Sequence, residues 1–482
     1  VSGNKHCMLK LHHCFLIYLI DRLQITNQTM KKLLLITCLL TTIYIQAQDF
    51  WTEYATSQPE AITGMTSISI VDDNVTWLNM SCGTIGCTPI RRYSKTIDGG
   101  MYWQTAAIDL GSNSANLEIG NISGVSEMVA YAAVQPTGSG AIGGIWQTTD
   151  GGNTWTRQAS ATFSDPASFV SLVHFWNTND GVAIGDAVDG YFEIYTTANG
   201  GNLWTRVASS PALVPIDDQE YLVTNNFTVT GNTIWAMTDY GRLLKSTDKG
   251  LSWTISQTPV IDGFFTPDFG FASTDMAFTD QNNGLLQTSD FQLFHTNDGG
   301  TTWTDVPYSG TIRNFGIAAI PGVPNNYVAV GEDINMQRGS SFSTDAGLNW
   351  ISINDNPDLT YVNGGVVAFQ SSYNGFASGF SISSVVGGIF KWASGCICGA
   401  ATDFYGNKSI IASPNPTSGI LNIKGTNISQ IIVSDMLGKQ ISSTSYHELN
   451  ETTINLDKLV NGLYMVSVTN DKGTSKIKVV KQ

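Results

Sequence analysis

The feature that most restricts how this chain folds is an eight-residue pattern that returns six times. It reads Ser/Thr-x-Asp-x-Gly-x-x-Trp and first appears as Thr96-Ile97-Asp98-Gly99-Gly100-Met101-Tyr102-Trp103. Later copies end at Trp155, Trp204, Trp253, Trp303 and Trp350, so the tryptophans are 52, 49, 49, 50 and 47 residues apart. A period of this length signals a propeller-like or solenoid array, because one such unit cannot bury its apolar face alone. Short strand-like runs and Gly-rich turns fill the spaces between copies. With 48 glycines, 10% aromatic and 13% charged residues in 482, the chain is neither disordered nor helical in character.

Each copy has a local physical logic. An Asp followed by Gly makes a tight turn between two strands, its carboxylate accepting backbone N–H bonds. The Ser/Thr hydroxyl joins that network, and the Trp packs as the next strand begins. Equivalent side chains at six separate turns cannot converge on one substrate. Asp98, Asp150, Asp248, Asp298 and Asp345, with Asn199 in the acid's place in the third copy, are therefore expected to be structural. The pattern resembles the Asp-box (BNR) repeats of sialidases, sortilins, xyloglucanases and photosystem II assembly factors. The resemblance implies an all-β propeller.

Two incomplete units sit at the ends of the array. Trp51-Thr52 matches the fourth strand that opens with Trp155-Thr156 or Trp204-Thr205, yet nothing precedes it to form a unit of its own. Gly387-Gly388-Ile389-Phe390-Lys391 matches the third strand Gly143-Gly144-Ile145-Trp146-Gln147, yet no box follows it. Together they predict a ring of seven blades closed by the N-terminal strand, which removes the free sheet edge. The closed ring is expected to be a monomer.

In propellers of this resemblance the box lies between strands three and four, and ligands bind the opposite face. Several second strands there end in acid: Asp186, Asp239, Asp290, and Glu332 with Asp333. Tyr191 and Tyr240 follow two of them, and Arg242 lies close by. Carboxylates beside aromatic rings suit a sugar, which stacks and offers hydroxyls. The loop Asp217-Asp218-Gln219-Glu220-Tyr221 belongs to the same face. Its oxygens suit Ca²⁺, but no metal-loop spacing supports a cofactor. Sialidases clamp their substrate with three arginines, and the isoleucine-proline signature that accompanies the first is absent here. No zinc spacing and no phosphate-cradling glycine motif is present. A non-catalytic module binding glycan or protein is the expectation, with a glycoside hydrolase of sialidase or xyloglucanase type as the alternative.

Four cysteines follow residue 48: Cys82, Cys87, Cys396 and Cys398. The first pair falls on the face away from the boxes and the second at the missing box. Opposite faces are too far apart for one bridge, so two local disulfides, Cys82–Cys87 and Cys396–Cys398, are expected.

The ends of the chain carry an address. Met30-Lys31-Lys32, the apolar stretch 33–45 and the small residue Ala47 read as a secretory signal peptide spanning 30–47. Residues 1–29 read as an extension upstream of the true start. Residues 48–398, the propeller, hold 11 basic and 32 acidic residues, whereas 399–482 hold 8 and 6. Such an acidic propeller argues against nucleic acid and anionic membrane as partners. The charge shift marks a boundary, with a linker at 399–405 and a second domain at 406–482. That domain carries strand-like runs such as Leu463-Tyr464-Met465-Val466-Ser467-Val468 and ends on Lys476-Ile477-Lys478-Val479-Val480-Lys481. It resembles the C-terminal sorting domain of Bacteroidetes type IX secretion cargo. The resemblance implies a small Ig-like β-sandwich, the type IX machinery as partner, and release outside the cell or attachment to its surface.

Overall fold

The computed structural model describes residues 50–482, except 61, 83–87, 113, 139, 164–168, 261–273, 355–365, 393–410, 414–416, 436–439, 461, 471–472 and 482. The segments 1–29 and 30–47, the linker 399–405, and Cys87, Cys396 and Cys398 lie outside the described residues. So does the partner of Cys82, which is disulfide-bonded.

Among the described residues, seven sheets precede a C-terminal one; they are antiparallel apart from the short edge strand Ser309–Gly310, which runs parallel to Asn349–Asn354. The second shows the common plan: Leu117–Gly124, Ala130–Pro136, Gly144–Thr148 and Thr156–Arg157 pair in simple succession. The second strands are buried on both faces, which is why Ala130-Tyr131-Ala132-Ala133-Val134 reads as one apolar run rather than an alternation. Sheets pack face to face through these residues and the box tryptophans. Between the first and second sheets Trp77, Tyr93 and Trp155 meet, with ring centroids 5.0–6.4 Å apart.

The innermost strands touch in a closed cycle: Thr63–Ile70, Leu117–Gly124, Val170–Phe175, Leu222–Thr230, Asp275–Phe278, Gly316–Ala319 and Val367–Phe369, which returns to the first. This is a propeller with its first strands around a central channel. Side chains cross between neighbouring inner strands and satisfy backbone groups that no ladder pairs. Ser67 Oγ accepts from Ile122 N at 3.1 Å, and Asn121 exchanges two bonds with the Val173 backbone. In the fifth blade the same task falls to Asp275, whose carboxylate accepts from Ile317 N at 2.9 Å.

The seam is where the sequence places it. Trp51–Ala55 pairs antiparallel with Gly388–Trp392, and Trp51 stands opposite Trp392. Their rings meet edge to face at 4.9 Å, and Trp51 Nε1 donates to Ser340 Oγ at 2.8 Å in the preceding blade. The strand earliest in the described chain thus completes the sheet built from Val367–Phe369, Gly375–Ser378 and Gly388–Trp392.

The C-terminal sheet contains Ile411–Ser413, Ile420–Asp435, Gln440–Asn455, Gly462–Asn470 and Gly473–Lys481. Its two 16-residue strands are irregular between Lys424 and Gln430, which lets them bend. Leu421 and Ile423 on one half and Ile431 and Val433 on the other share a single core with Val466 and Val468.

Candidate functional site

Each blade has two ends. The box follows the third strand, and the first strand runs parallel to the third, so first strands begin at the other, open end.

At the box end the expected network is present. Asp98 Oδ1 accepts from Thr96 Oγ1 at 2.9 Å and from the amides of Met101 and Tyr102 at 3.0 Å. Thr96 Oγ1 in turn accepts from Gly100 N at 2.9 Å. The same hydroxyl-to-acid bond recurs at Asp150, Asp248, Asp298 and Asp345, and at Asn199. Hydrogen bonds from the Thr302 hydroxyl and amide hold Asp298 down at about 2. The Trp closes the turn: Trp103, Trp155, Trp253 and Trp303 each donate to the carbonyl of the box glycine three residues earlier. Box carbonyls also bind neighbours, as Gly151 O accepts from Lys95 Nζ at 2.8 Å and Gly200 O from Tyr131 at 2.7 Å. The acids are spent on their own turns, and the box backbone makes the inter-blade contacts.

At the open end two acids from adjacent blades come together. Asp186 lies within the strand Gly181–Val188, not at its end as the sequence suggested. Gly185 faces Glu193 and Ala187 faces Phe192, so Asp186 is the extra residue of a β-bulge and its side chain is re-aimed. Gly185 permits this, since a Cβ there would lie 2.1 Å from Phe169 O, where the Asp186 amide binds at 2.9 Å. Burial pushes the Asp186 carboxyl up to about 7; a bond from the Leu222 amide opposes this, and the charge of Asp239 adds to it. Asp239 follows the fourth blade's Thr233–Thr238. It accepts from Tyr221 N at 3.0 Å and its amide donates back to Tyr221 O at 3.1 Å. Burial raises this carboxyl too, helped by the charge of Glu220. Tyr221 is 38% exposed beside both acids.

The rest of the expected face divides. Arg242 does not reach this pair, because it grips the buried Glu220 with two nitrogens, its Nε at 2.7 Å. Tyr240 donates to Asp217 Oδ2 at 3.0 Å, joining the acidic loop to the same region. Tyr191 is half-buried against the core that contains Phe192 and Leu213; the ring beside the two acids is instead Tyr221, which the sequence placed on this face only as the end of the acidic loop. Asp290 is absorbed by its own turn, taking the Thr288 hydroxyl and Gln292 Nε2. Glu332 pairs with Arg338 at 2.7 Å across a hairpin. Asp333 accepts amides of Asn335 and Gln337 and pairs with buried Arg313 at 3.1 Å. Arg242, Arg313 and Arg338 thus each serve a separate acid and form no clamp. Among the described residues no cation pairs with Asp186 or Asp239, and no metal-binding cluster is present.

The comparisons with known proteins fall on the two parts of the chain separately. Residues 413–482 match the secretion system C-terminal sorting domain family. The chain carries a type IX sorting tail and is exported, to be secreted or held at the cell surface. Among solved structures, YCF48 bound to D1 peptide is similar with a TM-score of 0.50 at 14% identity, over 73% of this chain and 97% of that one. YCF48 from Cyanidioschyzon merolae gives 0.48 at 18% identity, over 71% and 99%. A GH74 xyloglucanase from Xanthomonas campestris gives 0.23 at 12% identity, over 89% and 76%. The first of these supports the propeller fold and nothing finer. No curated protein matches the chain.

Proposed function

We propose that this exported protein is a seven-bladed Asp-box propeller acting as a non-catalytic binding module, with its ligand on the open end of the third and fourth blades. The carrying observation is the pairing of Asp186, on its bulge, with Asp239 beside exposed Tyr221, with no cation among the described residues to neutralise either acid. Such a surface favours hydroxyl-rich or cationic groups and repels anionic sugars such as sialic acid. Glycan or protein ligands fit that description. YCF48, a propeller of this fold, has been solved with D1 peptide bound, so peptides belong in the screen beside glycans.

A second reading has one observation in its favour. A carboxyl held near 7 beside a second carboxyl is the arrangement of a general acid and its partner in a glycoside hydrolase. One experiment separates the readings. The purified protein is screened against a glycan array, a peptide array and fluorogenic glycosides, with D186A and D239A alongside. Binding without turnover, weakened about tenfold or more by either substitution, is expected; losing one hydrogen bond to a charged group costs about 1.5–3 kcal/mol. Turnover abolished by D186A with the fold intact would establish the hydrolase instead. Binding unchanged in both variants would remove the site.

A further inference from the structure

The inner strand of the fourth blade departs from its counterparts. Leu222 faces Thr238 and Phe227 faces Ala236, so residues 223–226 stand opposite the single residue Met237. The inner strands of the first three blades carry one extra residue at the matching level: Thr66, Gly120 and Ser171. Four residues in that space must leave the sheet, and they leave it toward the channel. Asn225 Nδ2 donates to Thr66 O in the first blade at 2.6 Å, three blades away around the ring. Thr224 Oγ1 donates to Gln135 Oε1 in the second blade at 3.2 Å, and Asn226 Nδ2 to Thr274 O beside the fifth blade at 2.6 Å. Gly120 makes room, since a Cβ there would stand 3.1 Å from the Thr224 methyl. Asn225 holds φ at 59°, a left-handed conformation that Asn tolerates better than other side chains. A segment bonded to blades on both sides of the ring must cross the channel.

This crossing begins where the two acids are held. Asp239 takes the amide of Tyr221 and Asp186 takes the amide of Leu222, consecutive residues at the root of the bulge. The two carboxylates come from different blades and share this one anchor. We propose that residues 223–226 are the positioning element of the Asp186–Asp239 pair: a plug fixed across the channel by Asn225 that sets where both carboxylates stand. It floors the open end, so the candidate site is a closed cup rather than the mouth of a conduit. Asn225 is a positioning residue, since it touches neither acid. The proposal rests on the reading of Asp186 and Asp239 as ligand-facing, but it is tested without ligand.

The test compares N225A and N225G with N121A in the purified protein. Asn121 also joins inner strands, at Val173, but has no bond to the plug. All three variants are expected to lose global stability. Only the Asn225 variants should lose amide-exchange protection selectively at Tyr221 and Leu222, by about tenfold for one lost hydrogen bond. Only they should move the Asp186 titration, followed by carboxyl NMR, back toward the ordinary carboxylate range. The titratable and charged groups around it are Asp239, Tyr221, and Glu220 with Arg242. If N225A does not fold, N225G, which suits the left-handed backbone, carries the test. Unchanged protection and titration in N225G, or equal changes in N121A, would overturn the proposal. Loss of ligand binding with these readouts unmoved would count against the plug and leave the binding reading intact.

Discussion

The two ends of the propeller use the same side chain in opposite ways. At the box end, Asp298 receives two hydroxyls and two amides and stays ionised far into acid, at about 2. At the open end, Asp186 receives the Leu222 amide and is pushed up to about 7 by burial. A turn that surrounds a carboxylate with donors makes it structural. A bulge that lifts one out of the ladder and half-buries it leaves its charge unsatisfied and available. The difference lies in backbone geometry, not residue type.

The comparison presumes a closed ring, and the largest effect expected comes from opening it. W51A removes a buried indole from the seam and its bond to Ser340; it should cost about 3–5 kcal/mol, read by denaturant unfolding. A loss below about 1 kcal/mol would mean that the seam does not hold the blades.

A smaller effect sharpens the contrast directly. D248A removes an acceptor for Ser246 Oγ, Ser252 N and Ser252 Oγ, and should cost about 1–2 kcal/mol with binding unchanged. D186N should do the reverse, leaving stability at neutral pH equal or improved while weakening binding. If D248A is the variant that loses ligand, the ends have been assigned the wrong way round.

Much of this was legible in the sequence. The repeat gave the blades, the box gave its own hydrogen bonds, and the unmatched Trp51 and Gly387-Gly388 gave the closure. These are local patterns repeated in register, so each copy supports the next. The candidate site was legible only in part. Asp186, Asp239, Asp290 and Asp333 look alike in sequence, each near the end of a second strand. Whether such an acid is consumed depends on what the fold brings to it. Asp333 meets Arg313, which arrives from the connection between two blades, and Asp186 meets no cation among the described residues. The bulge at Asp186 is a mismatch between paired strands, and one strand's sequence does not carry it. Asn225-Asn226, an Asn pair inside an otherwise β-forming run, was the one available signal for the plug.

The sign of the pH dependence follows from the same contrast. Asp186 and Asp275, pushed up to about 7 and about 6, bind protons more tightly folded than unfolded. Their contribution is full below the usual carboxylate range and is lost as pH rises through those values. Asp298, held at about 2, contributes above the usual range and loses that contribution as pH falls toward 2. The most direct test is a site-resolved carboxyl NMR titration of the wild-type protein. Asp186 is expected to titrate near 7 while Asp298 remains ionised to about 2. Midpoints for both in the ordinary carboxylate range would contradict it.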